Sequence, residues 1–76
     1  MKYSSGEEVN IGDQVELGGG YAGTVVGIID KNSFAHDYSA EEWAYLGTGL
    51  LILANDSALL HYPELGEEIF LITRGA

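Results

Sequence analysis

Apolar and polar positions alternate most clearly between Ile11 and Asp30, IGDQVELGGGYAGTVVGIID. Val15 and Leu17 alternate with Gln14 and Glu16, so Gln14–Leu17 reads as a strand with one wet face. Gly18, Gly19 and Gly20 then turn the chain, because glycine takes positive φ without steric cost. Val25, Val26, Ile28 and Ile29 predict a return strand rich in β-branched residues, with Gly23 and Gly27 as points for a bend or bulge. Downstream the period changes. Ser39-Ala40-Glu41-Glu42 fits a capping box, in which Ser39 accepts from the Glu42 amide and the Glu42 carboxylate reaches back to the Ser39 amide. Tyr38 before the cap and Trp43 at the fourth helical position form a hydrophobic staple. Glu41 and Glu42 suit the positive end of a helix dipole, and Gly47 supplies a stop. A short helix over about Ala40–Leu46 follows, inserted between strands.

Gly49–Ala54, GLLILA, is apolar on both faces. A half-buried strand alternates, so something must cover its outer side. The inserted helix, with Trp43 and Ala40 on the covering face, is one candidate; a homodimer through Leu50–Ala54 is the other. Asn55-Asp56-Ser57 has turn chemistry, Ala58–Tyr62 returns as a strand, and Pro63 ends it. Leu65-Gly66-Glu67-Glu68 reads as a connection, Ile69–Thr73 as the last strand and Arg74-Gly75-Ala76 as a loose tail. Residues 1–10 form an extended arm with Tyr3 and Val9 as anchors and Glu7-Glu8 outside; residues 30–37 read as loop. The expected architecture is mainly β: one domain over residues 1–76, a small five-stranded SH3-like barrel with a short inserted helix.

Composition narrows the partner. Twelve acidic residues face three basic ones, a net charge of −9. Nucleic-acid affinity comes from Lys and Arg neutralising phosphates, so a phosphate-lined partner is disfavoured, and an anionic membrane with it. The acidity serves solubility, complements a basic protein, or both. No cysteine is present, which excludes a disulfide framework and a thiolate zinc site. The opening MKYSSGEEV lacks the apolar run of a signal peptide, and the longest apolar run, Leu50–Ala54, is far too short for a membrane span. A cytoplasmic location is the expectation.

Candidate chemistry is sparse. His36-Asp37 with Ser39 holds a base, an orienter and a nucleophile, but adjacent loop residues diverge and Ser39 is needed as a cap. His36 and His61 lack the spacing of a metal pair, and His61 sits in the strand LLHY. GGGYAG joins two strands and lacks the lysine of a phosphate cradle. The paired carboxylates Glu7-Glu8, Glu41-Glu42 and Glu67-Glu68 are sequence neighbours, which does not set them across a cleft. No catalytic residue, cofactor or metal is expected.

The remaining candidate is Asp37–Tyr45. Asp37, Tyr38, Glu41, Glu42, Trp43 and Tyr45 put aromatics, which dominate interface hot spots, among acids that select a basic partner. The structural alternative has Trp43 and Tyr38 covering Leu50–Ala54, with Tyr45 and Glu41 left exposed. Two further readings stay open: self-association as an assembly protein, and a phage-type nucleic-acid mimic whose acids imitate phosphates.

Gly12-Asp13-x-Val15-x-Leu17, Gly23-x-Val25, Ile29-Asp30, Tyr38, Glu42-Trp43, Leu46, Gly49-x-Leu51-Ile52 and Leu60-His61-Tyr62 together resemble a group of small bacterial SH3-like barrel proteins related in outline to KOW domains. The resemblance covers most of residues 3–73. Some members similar to this chain lie near toxin or effector genes, which implies an immunity-type inhibitor or adaptor. RNA-binding KOW domains are basic and this chain is acidic, so their nucleic-acid function does not carry over. The expected function is therefore a non-enzymatic acidic module that binds a basic protein.

Overall fold

The computed structural model of the chain describes residues 2–3, 6–36, 38–63 and 69–73. Asp37, the Leu65–Glu68 connection and the Arg74–Ala76 tail lie outside them. Among the described residues six strands form one antiparallel sheet: β1 Gln14–Gly18, β2 Tyr21–Ile28, β3 Ser33–Phe34, β4 Leu50–Ala54, β5 Leu59–Tyr62 and β6 Phe70–Thr73. Their order is β5-β4-β2-β1-β6, with β3 paired beside β2. The chain thus meanders outward through β4 and β5, and its last strand returns to flank the first. The sheet is open: among the described residues no pairing joins β5 to β6.

The glycine run makes the first hairpin. Gly18 pairs with Tyr21, leaving Gly19 and Gly20 as a two-residue loop with φ of 61° and 81°. Positive φ at both central residues is what a type I′ turn requires, and its twist matches that of the flanking strands. The return strand begins at Tyr21, four residues before the first of its predicted β-branched positions, and Ile29 leaves it for a 3-10 turn, Ile29–Lys31. Ser33–Phe34, expected as loop, pairs with Ile28 and Gly27.

Bulges divide the side chains between two cores. Val25 pairs with Ile52 and Gly27 with Leu51, so Val26 is an extra residue on β2. The bulge changes which face each following residue serves. Val25 and Ile28 enter a first cluster with Tyr3, Val9, Val15, Leu50, Ile52 and Ile69. Val26 and Ile29 instead join Leu51 in a second cluster on the opposite side. This explains why VVGII and LLILA are apolar on both faces: each strand lies between two cores.

The N-terminal arm is folded back. The backbones of Lys2 and Glu8 pair in an isolated antiparallel β-bridge, the Tyr3 amide donates to the Glu7 carbonyl at 2.9 Å, and Tyr3 and Val9 are buried as anchors. Beneath the arm lies Asp13, 1% exposed, whose carboxylate accepts the Tyr3 hydroxyl at 2.7 Å and the Asn10 amide at 2.9 Å. Outside, Glu8 and Lys31 form an ion pair at 3.0 Å, linking the arm to the turn after β2.

The Asn55–Ser57 turn matches its chemistry. Ser57 takes φ of 72°, and Asp56 accepts the Ala58 amide at 3.1 Å and the Tyr21 hydroxyl at 2.8 Å. At the other end of the sheet, Asp30 accepts the Thr48 hydroxyl at 2.8 Å and the Gly49 amide, and His61 Nε2–H donates to the Thr48 carbonyl at 2.9 Å. These bonds hold the Asp30 carboxyl below its ordinary range, the Gly49 amide being the larger cause. The Tyr21 hydroxyl, followed by the Ala58 amide, does the same for Asp56.

A carboxyl depressed in the folded state binds protons more weakly there than in the unfolded chain. Its stabilisation is complete above the unfolded value and is lost as pH falls through the folded one. An acid limb is therefore expected below about pH 4, the ordinary aspartate value. Asp30→Asn should be less stable than the wild type at neutral pH, and the gap should narrow as pH falls toward 3. Urea unfolding at pH 7 and pH 3 measures both; a gap independent of pH would refute the role given to Asp30.

Candidate functional site

Between β3 and β4 the chain makes one α-turn, α1 Ala40–Trp43, which tightens into a 3-10 turn, Ala44–Leu46. The expected single helix over 40–46 is thus a short composite. Seven residues nucleate a helix poorly on their own, so packing decides the outcome. The expected capping box also differs in its bonds. The Glu42 amide is directed at the Ser39 carbonyl at 3.2 Å, and the Trp43 amide at the same oxygen at 3.3 Å. The Ser39 hydroxyl, which the box would aim at the Glu42 amide, donates to the Glu42 carboxylate at 3.1 Å instead.

The aromatics divide between the two sides of this turn. Tyr38 and Trp43 pack, with Phe34, Ala35, Leu46, Leu53 and Leu59, onto Val26, Ile29 and Leu51. The outer face of β4 is thereby covered within the chain, and Leu50, Leu51, Ile52 and Ala54 are all buried. Tyr45 points the other way and is 77% exposed. Glu41 and Glu42 are exposed on the same short segment. Of the six candidate contact residues, Glu41, Glu42 and Tyr45 present themselves to solvent, Tyr38 and Trp43 are part-buried supports, and Asp37 lies outside the described residues.

The other candidates take structural positions. The Ser39 hydroxyl is engaged by Glu42, His36 is exposed, and His61 is bonded to the Thr48 carbonyl. Among the described residues no three His, Asp or Glu side chains gather where they could hold a metal ion. No helix among them is long and apolar enough to cross a membrane.

No family model, curated protein or solved structure matches the chain. What it does must be argued from its own surface.

That surface has features the sequence pattern did not single out. Besides Tyr45, the exposed large apolar side chains among the described residues are Phe70, 52%, and Ile72, 56%, both on β6. Gln14 pairs with Thr73 and Val15 with Leu71, so Ile72 is a bulged residue with no counterpart on β1. FLIT has no apolar–polar alternation to mark Phe70 and Ile72 as outward; of its three apolar side chains Leu71 is the one that packs against the first core. The position of Asp13 was also hidden. An aspartate beside a glycine reads as turn chemistry, and charged residues are seldom fully buried unless they are bonded.

Proposed function

We propose that this chain is a non-enzymatic acidic module that binds a basic protein partner, an immunity-type inhibitor or adaptor acting in the cytoplasm. The observation that carries the reading is Tyr45, an aromatic ring left almost wholly in solvent on a turn whose neighbours Glu41 and Glu42 are exposed carboxylates. An exposed tyrosine gives large contact area at small entropic cost, and surrounding acids steer and select a cationic partner. Trp43 and Tyr38 serve this surface from beneath by fixing the turn on the second core. The SH3-like barrel outline belongs to the same reading. A five-stranded barrel of that kind runs as a meander whose final strand comes back beside the first, and β6 beside β1 supports it. The net charge of −9 supports a basic partner over a nucleic acid.

The test is capture of partners from the native cell at low and at high salt, with the wild type and two variants. Tyr45→Ala and the double variant Glu41→Lys/Glu42→Lys should each weaken retention roughly tenfold or more, the loss expected for a hot-spot residue. Salt should weaken the wild-type complex as well. Tyr45→Ala alters an exposed side chain and should stay within about 0.5 kcal/mol of the wild type in stability. The double variant also gives up the Ser39–Glu42 bond and two acids in the first turn, about 1–2 kcal/mol, so its folding is checked by circular dichroism before retention is compared. Retention of the same protein by all three forms would overturn the reading.

A further inference from the structure

We draw no further inference here: the strongest candidate, the outward apolar pair Phe70 and Ile72 on the terminal strand β6, carries nothing because nothing in the structure shows what covers that face.

Discussion

Gly49→Ala is expected to lower the stability of the domain by on the order of 4 kcal/mol, the sum of backbone strain and steric overlap. Gly49 lies at the entrance to β4 with φ of 104°, a conformation that L side chains rarely adopt. A Cβ there would overlap the Tyr62 carbonyl oxygen and stand 2.7 Å from Pro63 Cα. These obstacles are backbone atoms, which cannot turn aside as the tip of a flexible side chain can. Nor is the glycine free to shift. Its amide donates to Asp30, and its carbonyl accepts the Ile29 amide at 2.9 Å. A domain of this length has roughly 4–11 kcal/mol of total stability, so the variant should be largely unfolded at moderate temperature.

Gly18→Ala provides the comparison. Gly18 has φ of 100°, but a Cβ there would meet nothing within 4 Å. It should cost about 1–3 kcal/mol, from backbone strain alone. Urea melts of the two variants separate strain from overlap. Equal losses would mean that the close approach of β4 to the Tyr62–Pro63 backbone has no energetic consequence.

The second large effect is expected at Asp13. Asp13→Ala removes the acceptor of a buried hydroxyl and of the Asn10 amide. A buried donor left unsatisfied costs about 1–3 kcal/mol, which applies to the Tyr3 hydroxyl, whereas Asn10 is an exposed residue and its amide costs less, so a loss of about 2–3 kcal/mol is expected. The Asp13 carbonyl accepts the Val25 amide at 2.9 Å, and the Gly12 amide donates to the Val25 carbonyl at 2.9 Å. The damage should therefore reach the arm before the central strands, which these backbone bonds still hold. A double-mutant cycle with Tyr3→Phe isolates the side-chain bond. Once the hydroxyl is gone, Asp13→Ala strands one donor fewer, so the double variant should lose less than the two single losses added together. Strict additivity in the unfolding midpoints would show that Tyr3 and Asp13 do not act as a pair.

Much of the sheet was legible because its rules are local. The Gly18–Gly20 run dictates a tight turn whatever surrounds it, and two-sided apolar runs announce strands that need cover on both faces. Tyr38 and Trp43 at staple spacing predicted one such cover, and both pack onto the core beside Leu51. What escaped was set by partners distant in sequence. Ser33–Phe34 is a strand only because β2 lies beside it, and two residues give no period to read. Val25 and Ile28 would face opposite sides of an unbroken strand, and only the bulge at Val26 against β4 sends both to the first core. Ser39 and Glu42 have the spacing of a capping box, but the Ser39 carbonyl takes the role at the Glu42 amide and frees the two side chains to bond each other. For the candidate surface, spacing placed Tyr45 opposite Trp43. Its degree of exposure required knowing where the turn sits on the sheet.

The two-core arrangement has a consequence for how protons of the backbone exchange with solvent. β2 and β4 pair with each other and with further strands, β1 and β3 on one side and β5 on the other, and apolar side chains lie above and below both. Their amides should therefore take up deuterium last, at rates set by opening of the entire molecule. The Ala40–Leu46 segment is two short turns with Glu41, Glu42 and Tyr45 exposed, and should label much earlier. A ligand gripping Tyr45 would slow that early labelling and leave the late labelling of β2 and β4 governed by the free energy it adds to the whole.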